Sequence, residues 1–439
     1  MSFEPCRLNE RATRAEISQR QIILLQQHLG YLERCSPYYR ELFRTIGFLP
    51  NQLTQLEQLA DLPLTGKAEL AKFNRDFLAV AEERVVDICV TSGTTGEPVT
   101  IWQTESDLKR LAENEKLAFL GAGINRQHRV LIAAALDRGF MAGLAYFLGL
   151  RAIGATIMRA GSSSLDYLAE TLRRQRPQVM VGVPSLFLTL ARYLEQEGVD
   201  CRTLGVEKLI CIGEPIRNPD LTLSPLGETL TEHWAARVLG TYAGTEIATA
   251  FADCEQGCGG HLLPELALIE ILNEDGTSVV DGQVGEVVVT PLGIQGTPLL
   301  RYRTGDLAVL HKTPCPCGRQ TPRLGPILGR HEQMLKCRGT TLYPTTIANA
   351  LYSLPAVQGH YIEVYRQHDL ADEVKVIVGC KDPALTADRI SARIAALTRV
   401  KLEVEIRSPE EISCQTLRKD RRKPVTFFDY RAFNPQRKE

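Results

Sequence analysis

The chain has 439 residues, 44% of them hydrophobic, with 51 Lys and Arg against 52 Asp and Glu. That size supports two or three domain cores and excludes both a miniprotein and a highly charged disordered tail. The charge balance excludes non-specific nucleic-acid binding and adhesion to an anionic membrane as main activities, so bulk electrostatics points to no partner.

The first twenty residues lack the apolar run of a secretory signal. The longest apolar stretch, near 139–153, is interrupted by Gly143, Gly149 and Arg151 and is too short to span a bilayer. A cytoplasmic protein is expected. Residues 12–43 repeat apolar and charged positions at helical spacing, and 49–64 read as a helical lead-in. Between about 86 and 246, short apolar runs alternate with helical patterns. Strands are predicted at 130–136, 179–183 and 209–212, and helices at 164–176 and 185–197. This is α/β architecture around a buried mixed sheet. Runs at 268–273 and 284–290 add a β-rich extension. Beyond Gly329, helices at 345–351 and 385–397 and strands at 361–365, 374–378 and 402–406 predict a small α+β domain. The expected division is 1–329 and 330–439. No internal repeat is evident.

Four polar clusters follow apolar runs. Val90-Thr91-Ser92-Gly93-Thr94-Thr95-Gly96-Glu97-Pro98 offers hydroxyls and amides that can hold phosphate oxygens, although the same composition also makes an ordinary turn. It is not the G-x-x-x-x-G-K-[ST] loop, because no Lys follows Gly96. Gly213-Glu214-Pro215, Tyr242-Ala243-Gly244-Thr245-Glu246 and Tyr302-Arg303-Thr304-Gly305-Asp306 come next. Loops beyond the carboxyl ends of strands in an α/β enzyme surround one crevice. Glu246 can hold a divalent metal riding on phosphate, and Asp306 can accept ribose hydroxyls. Taken singly, each is equally a surface acid beside a turn, and Arg303 equally a solvent-facing neighbour.

Of twelve cysteines, isolated ones such as Cys89 and Cys211 read as small core residues. Cys254, Cys258, His261, Cys315 and Cys317 are grouped differently: five candidates for the four places of a tetrahedral zinc site. The Cys-Pro-Cys pair can equally be core or redox thiols.

Thr91 to Pro98, Tyr242 to Glu246, Tyr302 to Asp306, and Gly329-Arg330 followed by Lys336-Cys337-Arg338-Gly339 together resemble the ordered motifs of the adenylate-forming enzyme superfamily. They are most similar to its phenylacetate-CoA ligase branch, over roughly residues 89–431. The resemblance implies a large domain binding ATP and a carboxylic acid, and a small mobile lid. An acyl-adenylate forms with release of pyrophosphate, and transfer to coenzyme A then gives acyl-CoA and AMP.

By the same resemblance, Thr91, Ser92, Gly93, Thr94, Thr95 and Gly96 cradle the leaving phosphates, and Gly213, Glu214 and Pro215 lie beside the adenine. Tyr242, with Gly244 and Thr245, walls its pocket, Glu246 meets Mg²⁺, and Asp306 and Arg330 approach the ribose. Lys336, Arg338 and Gly339 belong to the lid segment that meets the crevice after rotation. The tail resembles the branch's closing motif, which makes Lys423 the catalytic lysine, with Asp429 and Arg431 in frame and Lys419 as runner-up. Relatives with Cys-x6-His and Cys-Pro-Cys-Gly segments imply Cys254, His261, Cys315 and Cys317 as structural Zn²⁺ ligands, leaving Cys258 spare.

Three positions depart from the related pattern. Glu97 stands where Lys is usual, His331-Glu332-Gln333 replaces an acidic hinge pair, and Thr426 replaces an Arg. Arg138-Gly139-Phe140, Tyr146, Phe147 and Pro184 fall where the resembling ligases build the acyl pocket, which implies an aromatic acid; a packed helix explains Phe140, Tyr146 and Phe147 equally well. Two alternatives stand beside the ligase reading. One is a biosynthetic synthetase loading an acyl-carrier protein or an amine, and the other a non-catalytic nucleotide-binding relative. The chain is compatible with a homodimer.

Overall fold

The computed structural model describes residues 11–91, 99–161, 163–337, 340–368, 371–417 and 424–431. Two compact units emerge. The larger holds Met1–Leu223 and Gly227–Ile327, and the smaller holds Leu328–Glu439 with Ser224–Leu226.

The large unit begins with α1 (Arg14–Cys35) and α2 (Pro37–Ile46). Thr13 and Glu16 form a capping box that starts α1. Its buried positions Ile17, Gln21, Leu25, His28, Leu29 and Leu32 recur at spacings of three and four, the stripe of a half-buried helix. Ser36 ends α1 through its amide and caps α2 through its hydroxyl, with Pro37 fixing the first turn. Residues 49–64, expected as helix, are 3₁₀ turns at Pro50–Gln52 and Leu56–Asp61 instead. Pro50 and Pro63 fix φ and withhold amide donors, so no continuous α-helix can run through them.

After α3 (Lys67–Lys72) come the antiparallel pair β1 (Val85–Val90) and β2 (Thr100–Thr104), α4 (Glu105–Gly121) and β3 (Arg129–Ala133). The next elements are α5 (Met141–Ile153), β4 (Thr156–Arg159), α6 (Leu165–Gln175), β5 (Val179–Gly182), α7 (Pro184–Gln196), β6 (Lys208–Ile212), α8 (Pro225–Trp234) and β7 (Arg237–Gly244). The remaining strands are β8 (Thr249–Ala252), β9 (Gly260–His261), β10 (Ala267–Leu272), β11 (Val284–Pro291), β12 (Tyr302–His311) and β13 (Arg323–Leu324).

One sheet runs in the order β10-β11-β12-β13-β9-β8-β7-β6-β5-β3-β4. From β4 to β7 neighbours are parallel, joined by helical crossovers; from β7 onward they are antiparallel. Every residue of β5 is buried, as a parallel strand covered on both faces requires. Phe119 of α4 and Tyr146 and Leu150 of α5 cover one face over Val130, Ile132, Val181, Ile210 and Leu239. The α1–α2 pair packs instead with the antiparallel half, where Leu25, Leu29, Tyr39 and Phe43 join Val287, Val289 and Leu299.

The small unit contains β14 (Gly329–Arg330), the hairpin β15 (Leu335–Cys337) and β16 (Thr340–Leu342), and α9 (Pro344–Tyr352). Then follow β17 (Val357–His368), β18 (Ala371–Cys380), α10 (Ala387–Thr398), β19 (Glu403–Arg407), α11 (Pro409–Thr416) and β20 (Phe427–Asp429). Its main sheet is ordered β19-β18-β17-β20, with Ile362, Val364, Val376 and Val378 meeting Ile390 and Ile394. Among the described residues no helix is long and apolar enough to cross a membrane.

Candidate active site

At the tip of the β1–β2 pair the chain is closed by Thr91. Its amide donates to the Val99 carbonyl at 3.0 Å, and its hydroxyl accepts from the Val99 amide at 3.0 Å. Residues Ser92, Gly93, Thr94, Thr95, Gly96, Glu97 and Pro98 lie outside the described residues; their anchor points do not. The Val90 amide donates to the Gly139 carbonyl at 3.0 Å, which ties the end of β1 to the segment leaving β3. Gly139 has φ of 63°, and a Cβ there would stand 3.3 Å from both the Ile88 carbonyl and the Val90 amide, so conformation and contact both require glycine.

At the carboxyl end of β6, Ile212 leads into Gly213-Glu214-Pro215. The Glu214 carboxylate accepts from the Ser185 amide at 3.0 Å and from its hydroxyl at 2.8 Å. The residue at the N-cap of α7, Val183, has no side-chain oxygen. Glu214 therefore supplies from another strand the acceptor and negative charge that a helix start needs. This carboxylate fixes the turn's position.

One strand over, Tyr242 near the end of β7 donates its hydroxyl to Asp306 Oδ2 at 2.8 Å. Its ring lies 6.0 Å from that of Phe251. The segment 302–306 is part of β12 itself rather than a loop after a strand. Its shape is held by Glu286, whose carboxylate accepts from Arg303 Nε at 2.8 Å and from the Gly305 amide at 3.1 Å. Thr304 donates to the Val287 carbonyl at 2.8 Å and accepts from the Asp306 amide at 3.1 Å. Arg303 is thus an ion-pair partner inside the sheet, and Asp306 is left 9% exposed. Gly244 closes β7; Thr245 and the half-buried Glu246 form the turn 245–248 leading to β8. Gly213, Tyr242 and Asp306 therefore sit at strand ends or a strand edge of one sheet, where charged ligands of α/β enzymes bind, and Thr91 closes the separate β1–β2 pair.

Beneath β7 on its α4–α5 side lies a small cleft lined by Glu115, Phe119, Tyr146, Ile210, Leu239 and Thr241, among others. Phe119 and Tyr146 meet edge to face with centroids 6.0 Å apart. Glu115 is 4% exposed, and burial pushes its carboxyl up to about 7 against a single helping hydrogen bond from Asn114. Sequence reasoning missed this residue, because its burial comes from the packing of α4 and no local motif marks it.

The second cluster lies in the antiparallel half. Cys254 follows β8, His261 lies in β9, and Cys315 and Cys317 occupy the turn between β12 and β13. Strand pairing brings them together: Ala252 faces His261, and Arg323 faces His261 on the other side. The four ligand atoms lie within 4.8 Å of one another. Cys254 and Cys315 sulfurs are 3.7 Å apart, and Cys317 Sγ is 3.6 Å from His261 Nε2. Tetrahedral zinc with ordinary bond lengths separates two sulfurs by about 3.8 Å and a sulfur from a nitrogen by about 3.6 Å. The donor set and its spacing fit that ion. His261 Nδ1 is 3.5 Å from Thr321 Oγ1, a contact that leaves Nε2 facing the cluster. Gly318 has φ of 92°, and its amide closes the turn onto the Cys315 carbonyl at 2.9 Å. Cys258 turns to the Gln256 carbonyl and is outside the cluster.

In the small unit, Arg330 lies half-buried in β14 and Lys336 is exposed in β15, its amide donating to Asp372 at 2.7 Å. Between them His331, Glu332 and Gln333 form a short 3₁₀ turn. Arg431, following β20, pairs with Asp429 at 2.6 Å and donates to the Met334 carbonyl at 2.8 Å and the Glu332 carbonyl at 3.1 Å. The end of the tail motif is therefore a clasp on residues 332–334. The Thr426 carbonyl accepts from the Ile362 amide at 2.8 Å. Arg338, Gly339, Lys419 and Lys423 lie outside the described residues.

Residues 49–294 match the family described as AMP-binding enzyme. The chain is 31% identical over 365 residues to a phenylacetate-coenzyme A ligase of Thermus thermophilus, covering 82% of this chain and 80% of that protein. It is 27% identical over 437 residues to a phenylacetate-coenzyme A ligase of Pseudomonas putida, covering 96% of each. In fold it is similar to a 2-hydroxyisobutyryl-CoA ligase crystallised in the postadenylation state, with a TM-score of 0.85 at 24% identity over 97% of this chain and 94% of that one.

Proposed function

The chain belongs to the AMP-binding enzymes, in their phenylacetate-coenzyme A ligase branch, and from that premise we propose that the acid it activates is an aromatic carboxylic acid. As an AMP-forming acid–coenzyme A ligase it works in two steps. The acid's carboxylate oxygen attacks the α-phosphorus of ATP and pyrophosphate leaves; the thiolate of coenzyme A then attacks the acyl carbon and AMP leaves.

Negative charge builds on phosphate oxygens in the first step, so donors fixed before the reaction stabilise the transition state more than the substrates. In this reading the Thr91 to Gly96 loop holds the departing phosphates. Gly213 and Pro215 border the adenine in a turn that Glu214 keeps in place. Tyr242, followed by Gly244 and Thr245, walls the nucleotide and orients Asp306 toward the ribose, which Arg330 also serves. Lys423 meets the α-phosphate, and Lys336, Arg338 and Gly339 act in the transfer step. Glu246, half-buried and offering hard oxygens, suits one carboxylate contact to Mg²⁺, which when bound neutralises charge on the phosphate oxygens. Cys254, His261, Cys315 and Cys317 are proposed to hold a structural Zn²⁺ that fixes the β8–β9 and β12–β13 turns.

The similarity over most of the chain to phenylacetate-coenzyme A ligases, at 31% and 27% identity, is the observation that carries the choice of acid. A panel of aryl and alkyl acids supplied with ATP, Mg²⁺ and coenzyme A tests it, read by AMP release and product mass. Aryl-CoA products are expected. Turnover confined to alkyl acids overturns the aromatic reading, and products formed only with a carrier-protein thiol or an amine overturn the acceptor.

A further inference from the structure

The small cleft beside β7 carries polar groups, Glu115, Thr241, Tyr146 and Asp253, that an unsubstituted aromatic ring does not need. Among the described residues Thr241 Oγ1 is buried with no hydrogen-bond partner. Such an orphan hydroxyl costs free energy that Val, of the same shape, would avoid. Glu115 is buried beside it in the same lining, and the hydrogen bond recorded for its carboxyl comes from Asn114 Nδ2 to Oε1 at 3.0 Å. Of the other polar lining residues, Asp253 is engaged by Arg217 and by the Gly240 and Gly259 amides, and Tyr146 brings its phenol; Phe119, Ile210 and Leu239 are apolar.

The backbone position that carries Glu115 is fixed by close helix packing. A Cβ on Gly149 of α5 would stand 2.4 Å from Glu115 Cβ, so the two helices meet closely where Glu115 leaves α4. The cleft also adjoins the proposed nucleotide site through the backbone. Thr241 directly precedes Tyr242, and it pairs across the sheet with Ile212, the residue before Gly213. An acid whose carboxylate reacts over the ends of β6 and β7 points its far end down this side of the sheet. The open space is about that of one water molecule, the size of a single polar substituent.

We propose that Glu115 and Thr241 form the specificity-determining end of the acid pocket and hydrogen-bond a hydroxyl or amino substituent carried by the aryl acid away from its carboxylate. This rests on the ligase reading above. A hydroxyl or amine donates to the Glu115 carboxyl and can accept from the Thr241 hydroxyl, satisfying both groups, whereas an unsubstituted ring leaves the Thr241 hydroxyl unpaired and gives the Glu115 carboxyl nothing. Sites built to bind a polar substituent reject analogues lacking it far more strongly than apolar pockets reject a missing methylene.

The test compares kcat/KM for AMP formation on matched acids: phenylacetate with its hydroxy and amino derivatives, and benzoate with its own. Wild-type protein is expected to favour at least one substituted acid by more than about tenfold over its parent. Glu115→Leu and Thr241→Val are each expected to bring that ratio near one, and Glu115→Gln to retain part of it. Thermal shifts of the wild-type protein with each acid provide a measurement that depends on no variant, with the larger shift expected for the favoured substituted acid. Equal kcat/KM for parent and substituted acids in the wild type overturns the inference alone, as does a preference that survives in folded Glu115→Leu. AMP from no acid overturns the ligase reading and this inference with it.

Discussion

Tyr242 and Asp306 are 64 residues apart in the chain and 2.8 Å apart in space. The hydroxyl gives the carboxylate proposed for the ribose a fixed direction, and a hydrogen bond to a charged group contributes about 1.5–3 kcal/mol. Tyr242→Phe is therefore expected to raise the KM for ATP roughly tenfold while changing kcat less; steady-state kinetics at saturating acid check this, and an unchanged KM contradicts it. Glu115 gives a second prediction, in pH. Its folded carboxyl is raised to about 7 by burial, above the value near 4.5 of the unfolded chain. Stability is fully present below the unfolded value and is lost as pH rises through the folded one. Between these limits wild-type protein loses ~3 kcal/mol relative to Glu115→Gln. Denaturation at pH 4.5 and pH 8 should show the gap widening, and a constant gap contradicts it. Asp306 is legible in the sequence as a candidate because Thr304-Gly305-Asp306 stands out beside an apolar run. Glu115 is not, because Asp107, Arg110, Asn114 and Glu115 are all buried by the packing of α4 against the sheet and α5, which no local pattern encodes.

At the level of elements, the parallel strands are legible since burial on both faces leaves unbroken apolar runs, as in β5 and β6. The 3₁₀ turns at 50–61 are not, because leucine spacing mimics a helix while proline forbids one. Segment 302–306 reads as a loop from its glycine and polar residues. It forms strand instead because Glu286 satisfies Arg303 and the Gly305 amide from β11. For the cysteines, spacing alone leaves five candidates; the pairing of β8, β9 and β13 decides which four atoms meet. A structural zinc there predicts about one ion per chain in protein purified without chelator. Cys315→Ser, or prolonged chelation, should lower Tm by at least ~5 °C. Metal analysis and a thermal scan check both, and full stability without zinc contradicts the assignment.

For the whole molecule, the α/β large unit and α+β small unit each have their own core. Among the described residues proposed for the reaction, Asp306 and Glu246 belong to the first, and Arg330 and Lys336 to the second. Arg431 clasps the small unit's own carbonyls at 332 and 334, which gives the tail motif a structural role beside its proposed chemical one. In the sequence the pattern changes character after Gly329, beside Leu328 where the small unit resumes. The tail's lysine is different: a basic run near a carboxyl terminus carries no periodicity that says where it folds, so its role rests on chemistry.

An acid–coenzyme A ligase of this kind must activate its acid before it transfers it. Mixing the protein with ATP, Mg²⁺ and an accepted acid, with coenzyme A withheld, should release a burst of about one equivalent of pyrophosphate and leave acyl-adenylate bound. Folded Lys423→Ala should lose that burst. Pyrophosphate appearing only once coenzyme A is added, or a full burst from Lys423→Ala, would contradict the account.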